Sequence, residues 1–247
     1  MLIDPGNTPA NLPVSAPLEF LPLDPTQPEG WTLTPECALV HRALGTAVIA
    51  DVHLGYEWAR GSGGDMVPAH TLRETLEKLT QLTQRLSVRR LVVAGDLIES
   101  ALPCPRTRHD VAGLAKWLAD RKIELVHIHG NHEGHGPTLL PLQIELGGWS
   151  IAHGHLNLDG GRWIIGHHHP SLRVEEISAP CFLIHENWVI LPAFSSNAAG
   201  LDVLGSGLPG GFRKLDFQCV VPMEGRLFDF GQLSTLRAVF RPGSNRK

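Results

Sequence analysis

The sequence has little of what membrane proteins and exported proteins carry. It contains no run of about 18 consecutive apolar residues, which is the length that a membrane-spanning helix needs. Residues 1–17 lack both the basic region and the apolar region of a secretory signal peptide. We therefore predict a cytoplasmic chain that does not associate with membranes.

Cysteine pairs and an excess of basic residues are also missing. The four cysteines, at positions 37, 104, 181 and 219, form no CxxC pair, so we predict reduced thiols. Lysine and arginine number 21 against 25 aspartates and glutamates, which gives a net charge of −4 when the histidines are neutral. This balance argues against a broad basic surface for binding long nucleic acid.

Histidine, in contrast, is abundant. The chain has 14 histidines, and most of them fall between His127 and His169. Histidine is the commonest metal-binding side chain, so a clustered excess predicts a metal site in this part of the chain.

Composition divides the chain into three parts. Residues 1–30 contain seven prolines and show little periodicity, which indicates an irregular arm. Residues 31–204 are predicted to form the folded domain. Residues 205–247, rich in glycine and proline, are predicted to pack on that domain or to extend it.

Strands and helices are predicted to alternate over the first part of the domain. Leucines at 72, 76, 79, 82 and 86 have helical spacing, and Pro68 suits a first helical turn. The pattern predicts strands at 31–34, 37–41 and 46–50, a glycine-rich loop at 55–67, helix 68–86, strand 89–94, helix 107–120 and strand 123–128. The β-α-β-α-β order from residue 46 onwards is typical of a parallel sheet.

Beyond residue 140 the pattern changes to short strands without helices between them. We predict antiparallel hairpins built from strands at 142–146, 149–153, 162–166, 181–184 and 188–191. Two further strands are predicted at 215–221 and 226–230.

Polar residues stand at the carboxyl ends of the predicted strands, in the order Asp51, His53, Asp96, Asn131, His132, His153, His167 and His169. Ligands of open α/β sheets bind at this edge. Residues i and i+2 of an extended segment face the same way, so Asp51 and His53 can reach one metal. Asp96 is placed to bridge two cations about 3.5–4 Å apart, a spacing that suits activation of a phosphoryl group. The mixed imidazole, carboxylate and amide donors suit Mn, Fe or Zn better than Ca.

The order of these motifs resembles that of the calcineurin-like metallophosphoesterases. The resemblance rests on Asp51-x-His53, Gly95-Asp96, Gly130-Asn131-His132, His153 and Gly166-His167-x-His169, and it covers about residues 46–170. The stretches ADVHLGYE, HGH, GHHHP and PCFL…VILPAFSSNAAG extend it to about 31–204 and resemble the ligase-associated bacterial and archaeal branch of that superfamily.

This resemblance implies a four-layer α/β (α+β) fold, in which helices flank a central β-sandwich and two metals lie at the carboxyl ends of the strands. It implies that one metal is held by Asp51, His53, Asp96 and His169, and the other by Asp96, Asn131, His153 and His167. A metal-bridging hydroxide would attack the phosphorus. His132 would protonate the leaving oxygen or stabilise the charge of the transition state. Two divalent ions are the expected cofactors, with Mn preferred and Fe or Zn as alternatives.

Four side chains beside these motifs are given separate roles. Tyr56, Arg60 and His155 are candidates for substrate binding, with an ordinary packed loop as the alternative for the first two. Glu99 stands where the superfamily often has an aspartate. We expect it either to orient a histidine ligand or to be a surface carboxylate.

The preferred function is metal-dependent hydrolysis of phosphodiester bonds in nucleotides or at nucleic acid ends. A phosphomonoesterase or a nucleotide pyrophosphatase would use the same metal ligands, and a non-catalytic scaffold is disfavoured by the complete ligand set with His132. The ligase-associated branch implies a link to DNA repair, with a DNA ligase and a helicase as functional neighbours. The sequence leaves the oligomeric state open.

Overall fold

The computed structural model describes residues 15–134, 138–175, 177–198 and 200–240. Residues 1–14 of the predicted arm, His135 and residues 241–247 of the predicted extension lie outside these ranges. Among the described residues, no helix combines the length and the apolar character that crossing a membrane requires.

The described residues form both α-helices and β-strands, and most of the strands are short. The helices are α1 (Tyr56–Ser62), α2 (Thr71–Arg85), α3 (Pro105–Asp120), α4 (Gly210–Arg213) and α5 (Leu233–Phe240). The first eight strands are β1 (Leu21–Pro22), β2 (Trp31–Leu33), β3 (Leu39–His41), β4 (Thr46–Ile49), β5 (Arg90–Ala94), β6 (Glu124–Ile128), β7 (Gln143–Leu146) and β8 (Trp149–Ala152). The others are β9 (Trp163–Ile165), β10 (Pro170–Val174), β11 (Ile177–Pro180), β12 (Phe182–His185), β13 (Trp188–Ile190), β14 (Leu201–Asp202), β15 (Gln218–Met223) and β16 (Arg226–Gln232).

The first sheet has six strands in the order β1-β2-β3-β4-β5-β6. Strands β4, β5 and β6 are parallel neighbours, and α2 and α3 connect them. Leu79 and Leu82 of α2 and Leu114 and Leu118 of α3 are buried in the same apolar cluster as the outer face of this sheet. The predicted β-α-β-α-β unit and its parallel sheet are therefore confirmed.

The second sheet has seven strands in the order β16-β15-β12-β13-β9-β8-β7. The prediction of antiparallel hairpins throughout this region is wrong for β8, β9 and β13, which run parallel to one another. Strand β9 lies between the other two, and Trp163, Ile164 and Ile165 are all buried. Continuous apolar residues without alternation are typical of a parallel strand that is covered on both faces.

The two sheets pack face to face, and one apolar cluster fills the space between them. It includes Trp31 and Val92 from the first sheet and Ile164 and Phe182 from the second. A third cluster covers the far side of the second sheet, where β10, β11 and β14 form a small sheet in the order β11-β10-β14 beside α4 and α5. The expected four layers are observed, but the fourth layer is a mixed one instead of a purely helical one.

Residues from both ends of the described chain pack on the central domain. In the C-terminal part, β15 pairs with β12 as well as β16, and Phe217 is fully buried. In the N-terminal part, Leu18 and Leu227 exchange two backbone hydrogen bonds of 2.9 and 2.8 Å. All four cysteines are free, as predicted.

The segment between β4 and α2 differs from its prediction. Residues 55–67 were expected to form a loop, but Tyr56–Ser62 is the helix α1, which Gly55 precedes in the left-handed conformation at φ 84°. Helix α2 begins at Thr71 and not near Pro68. The reason is Glu57, whose Oε1 accepts the backbone N–H groups of His70 and Thr71 at 2.7 and 2.5 Å and so fixes where the first turn starts.

Candidate metal centre

The carboxyl ends of β4, β5 and β6 lie side by side because these strands are adjacent and parallel. The loops that follow them carry Asp51, His53, Asp96, Asn131 and His132. Backbone hydrogen bonds tie the first two loops together, since the N–H of Asp51 donates to the oxygen of Gly95 (3.2 Å) and the N–H of His53 to that of Asp96 (3.0 Å). These loops therefore hold their side chains in a fixed relation.

Strands β8 and β9 bring three histidines from the second sheet to the same edge. His153 follows β8, and His167 and His169 follow β9. Nδ1 of His153 donates to the carbonyl oxygen of Ala94, at the end of β5, over 3.0 Å. This bond crosses from one sheet to the other and fixes which ring nitrogen of His153 faces the other polar residues.

The backbone is strained at most of these positions. Among the described residues, nine that are not glycine have a positive φ, and five of the nine are predicted metal ligands, namely Asp51 (58°), His53 (53°), Asp96 (51°), His167 (66°) and His169 (44°). Such conformations cost free energy and cluster at functional sites, where the surrounding structure enforces them.

One group of donor atoms is formed by Asp51, His53 and His169, each with a ligand atom within 4.8 Å of the others. Oδ1 of Asp51 lies 3.1 Å from Nε2 of His169. These two atoms and Nε2 of His53 are buried, and none of them completes a directed hydrogen bond within the described chain. Buried polar atoms without partners are costly, and a cation placed between them would remove that cost.

A second group surrounds Nε2 of His153. Around this nitrogen lie Oδ1 of Asn131 at 2.9 Å, Oδ2 of Asp96 at 3.2 Å and Nδ1 of His167 at 3.2 Å. In the metal-free chain a proton on Nε2 of His153 can bond to these oxygens. Once that proton leaves, the imidazole still donates from Nδ1 and has only a lone pair on Nε2. Four electron-rich atoms then converge on one position, which is the arrangement that a divalent cation stabilises.

Asp96 stands between the two groups. Ligand atoms of Asp51, Asp96 and His153 lie within 4.8 Å of one another, so the donors of both groups are contiguous. The set of carboxylates, imidazoles and one amide oxygen fits two divalent cations of the Mn, Fe or Zn type.

The charge states of two of these side chains suit metal binding. Burial alone would raise the pKa of Asp96, but the hydrogen bond and positive charge of His153 outweigh it and hold that pKa well below its usual range. Burial, with His153 and His168 nearby, lowers the pKa of His167 to about 4. At neutral pH, Asp96 is therefore a carboxylate and His167 a neutral imidazole with a free lone pair.

Glu99 lies behind two of the histidines. Its Oε2 is 2.9 Å from Nδ1 of His53, and its carbonyl oxygen accepts a hydrogen bond from Nδ1 of His132 at 2.6 Å. Both contacts turn Nε2 of the ring towards the centre, and Nε2 of His132 lies 3.8 Å from Oδ2 of Asp96. Of the two roles that the sequence leaves open for Glu99, this geometry favours the orientation of histidines.

Glu133 has a structural role that the sequence did not reveal. Its buried carboxylate accepts the backbone N–H groups of Asp96 (3.2 Å), Leu97 (2.7 Å) and Gly130 (2.7 Å), and Oε1 lies 3.1 Å from Nε2 of His127. Burial favours a raised pKa for Glu133, but the hydrogen bond from His127 prevails and the pKa is lowered. Its place directly after Gly-Asn-His is the only signal in the sequence that could have pointed to it.

Two glycines let the backbones approach closely enough for these contacts. A Cβ at Gly130 would overlap Oδ1 and the backbone nitrogen of Asp96. A Cβ at Gly95 would overlap the ring of His153, and Gly95 also has a φ of +83°. The loops can therefore pack this tightly only with glycine at both positions.

Of the three residues predicted to bind substrate, His155 lies beside the donor groups, whereas Tyr56 and Arg60 lie in α1. His155 is near the second group, with its ring centroid 5.2 Å from that of His153 and 6.2 Å from that of His167. Tyr56 is half-buried at the start of α1, and Arg60 is exposed and paired with Asp65 at 2.7 Å. Within the described ranges, the side chains of Tyr56 and Arg60 form no hydrogen bond, ion pair or ring contact with the two donor groups.

Comparisons with known proteins agree with this geometry. Residues 45–203 match the family described as calcineurin-like phosphoesterase. The chain is also similar to the crystal structure of a nuclease, MPE, from Pseudomonas putida, with a TM-score of 0.61 and 23% sequence identity over 81% of this chain and 94% of that one. At this identity the similarity bears on the fold. Every residue predicted as a metal ligand lies inside the segment that matches the family.

Proposed function

The chain belongs to the calcineurin-like phosphoesterase family, and from this premise we propose that it hydrolyses phosphodiester bonds at the two donor groups described above. Hydrolysis of phosphoester bonds with the help of metals is the general activity of such a chain. The observation that carries the proposal is the convergence of buried donor atoms from Asp51, His53 and His169, which complete no directed hydrogen bond within the described chain, next to those around His153.

Two divalent cations held here would polarise the phosphoryl group and activate water for attack on it. We assign the first cation to Asp51, His53, Asp96 and His169, and the second to Asp96, Asn131, His153 and His167. His132 lies at the edge of the centre with a third of its side chain exposed, and its Nδ1 is engaged by the carbonyl of Glu99. Its Nε2 is therefore free to hold the proton that the leaving oxygen receives.

Two cavities that adjoin the centre, one at His169 and one at His167, favour a diester over a monoester. One of about 350 Å³ is lined by His169 together with Lys78, Arg173 and several serines. The other, of about 520 Å³, is lined by His167 and aromatic residues. A phosphodiester has an organic substituent on each side of the phosphorus, and a monoester has one, so two adjoining cavities fit the diester better.

Several finer assignments belong to the same proposal. We propose Mn²⁺ as the metal, membership of the ligase-associated branch, and a cytoplasmic role in DNA repair near a DNA ligase and a helicase. The nuclease activity named for the Pseudomonas putida protein supports a nucleotide or a nucleic acid end as the substrate. Tyr56, Arg60 and His155 remain the proposed substrate contacts.

The test uses the metal-stripped protein with Mn²⁺, Fe²⁺ or Zn²⁺ added back. Turnover of bis-p-nitrophenyl phosphate is compared with that of p-nitrophenyl phosphate in the wild type, in Asp96→Asn and in Asp159→Asn, whose exposed carboxylate serves as the matched control. We expect Mn²⁺-dependent cleavage of the diester, a loss of roughly a thousandfold or more in Asp96→Asn, and no change in the control.

Other outcomes would point elsewhere. Cleavage of the monoester alone would favour the phosphomonoesterase. No turnover by a chain that binds two metals would favour the scaffold. A chain that binds no divalent metal would contradict the proposal as a whole.

A further inference from the structure

The cavity beside His167 has a wall that the family segment does not supply. It measures about 520 Å³, and Pro209, Phe212 and Leu215 line it together with His155, His167 and Trp188. The first three residues lie beyond residue 203, where the match to the family ends. The C-terminal part of this chain therefore shapes one side of the candidate metal centre.

Aromatic rings form a continuous path from the centre into this cavity. The ring centroid of His168 lies 5.1 Å from that of His167, and the centroid of Phe212 lies 5.3 Å from that of His168. Phe212 also contacts Trp188 edge to face at 4.9 Å. Because Phe212 is only half-buried, part of its ring remains available to a ligand in the cavity.

The polar groups of the cavity are uncharged or weakly basic. The described residues that line it include no lysine, arginine, aspartate or glutamate, in contrast to the cavity at His169 with Lys78 and Arg173. His155 and Asn157 both line the cavity and are the residues there that can offer an imidazole and an amide to a ligand. This lining suits a flat, neutral group that can both stack and form hydrogen bonds.

We propose that this cavity binds a nucleobase of the substrate, with Phe212 as the stacking residue and His155 and Asn157 as hydrogen-bonding groups. This inference rests on the proposed phosphodiesterase function. The cavity is large enough for a base, and it adjoins a ligand of the second metal, so a base held there is close to the phosphate under attack. The substrate would then be bound in one direction, with one nucleoside towards His167 and the other substituent towards His169.

The direct test compares dinucleoside phosphodiesters in which one base at a time is removed. Wild-type protein is assayed with thymidylyl-thymidine and with its two analogues that carry an abasic site on the 3′ or on the 5′ side of the phosphate. We expect removal of one of the two bases to lower kcat/KM by roughly tenfold, the range of a base–aromatic stack. Removal of the other base should have little effect.

Variants at Phe212 test whether the cavity causes the difference in kcat/KM between the two abasic analogues. Phe212→Ala should abolish the difference between the two abasic analogues, and Phe212→Trp should retain it. Phe240→Ala is the matched control, because Phe240 packs in the same outer layer without lining the cavity. A preference that persists in Phe212→Ala would overturn the inference.

A binding experiment separates this inference from the proposed function. Affinities of the wild type and of Phe212→Ala for adenosine 5′-monophosphate and ribose 5-phosphate are measured by calorimetry with Mn²⁺ present. In the wild type we expect adenosine 5′-monophosphate to bind roughly tenfold more tightly than ribose 5-phosphate. In Phe212→Ala the two ligands should bind equally tightly. Equal binding of both ligands to the wild type contradicts the base site, whereas selective binding without hydrolysis of any dinucleotide contradicts only the proposed activity.

Discussion

The strained residues of the centre are held in place by their own neighbours. Oδ2 of Asp51 accepts the backbone N–H of His167 at 2.9 Å, and Oδ1 of Asp96 accepts that of His132 at 2.9 Å. Each carboxylate thus uses one oxygen to hold a loop that carries another predicted ligand and keeps the second oxygen for the centre. Substitution of either aspartate therefore has two effects: it removes an oxygen that can bind a metal, and it removes the hydrogen bond that holds His167 or His132 in place.

Glu99 offers the cleanest test of how the histidines are oriented. We expect Glu99→Ala to weaken the binding of divalent metal by about 10 to 100-fold, because His53 loses the carboxylate that turns its Nε2 towards the centre. Titration of the metal-stripped protein with Mn²⁺ measures this affinity directly. Glu186→Ala, at an exposed glutamate outside the centre, is the control. An unchanged affinity in Glu99→Ala would show that His53 is positioned without Glu99.

At the scale of elements, parallel pairing decides where the histidines meet. Strand β9 joins β8 on one side and β13 on the other, with all three in the same direction. The loops after β8 and β9 therefore leave from the same edge, and His153 and His167 come within 3.2 Å of each other. An antiparallel pair would place the two loops at opposite ends of the sheet.

The start of α2 depends on a carboxylate from another element. We expect Glu57→Gln to lower the free energy of unfolding at pH 7 by about 1.5–3 kcal/mol, because Glu57 caps α2 by accepting charge-assisted hydrogen bonds from the backbone N–H groups of His70 and Thr71. Urea unfolding of the metal-free protein measures the difference. Glu77→Gln, at an exposed glutamate of the same helix, should change stability little.

The cap of α2 by Glu57 also makes the free energy of unfolding depend on pH. Burial favours a raised pKa for Glu57, but hydrogen bonds from Thr71 prevail and lower it below the usual 4.5. A lowered folded pKa means that the stabilisation is complete above the unfolded pKa and is lost as pH falls through the folded value. The gap in stability between the wild type and Glu57→Gln should therefore shrink below about pH 4.5. A gap that stays constant down to pH 3 would contradict this role.

Local patterns in the sequence predicted strands β2 to β6, the two long helices and the order of the strand-end motifs. Strand β1 was missed, because Leu21 and Pro22 lie in the proline-rich part that was predicted to be irregular. The helices follow from their periodicity, although α3 begins at Pro105 and not at residue 107 as predicted. Contacts between distant segments could not be read in the same way. The cap of α2 by Glu57, the anchoring of two loops by Glu133 and the parallel pairing of β9 each depend on a partner that only the folded chain brings near. The short strands β10, β11 and β14 were missed because a few residues carry too little periodicity.

On the scale of the whole molecule, the predicted metallophosphoesterase fold and superfamily are confirmed by the family match and by the structural similarity. The described residues beyond 204 contribute to the outer core, where Phe217, Cys219, Val221 and Leu233 are buried. Strand β15 pairs with β12 and β16, so it stands inside the second sheet and not at its edge. We propose that residues 205–240 fold as part of the central domain.

Phe217 tests this proposal. Phe217→Ala should lower the free energy of unfolding by about 3–5 kcal/mol, since the ring is fully buried and its removal leaves a cavity. Phe240→Ala, at a half-buried ring in α5, should cause a smaller loss. Both are measured by urea denaturation. A free energy of unfolding that is unchanged in Phe217→Ala would indicate that the C-terminal part adds little to the stability of the domain.

The distance along the chain between Asp51 and His167 has a consequence for biosynthesis. These residues are hydrogen-bonded although 116 positions separate them. At a translation speed of about 5–20 residues per second, roughly 6 to 23 seconds pass between their appearances on the ribosome. The aspartates that follow β4 and β5 are therefore synthesised well before the histidines that surround them. The two donor groups can be completed only after His169 has been added to the chain.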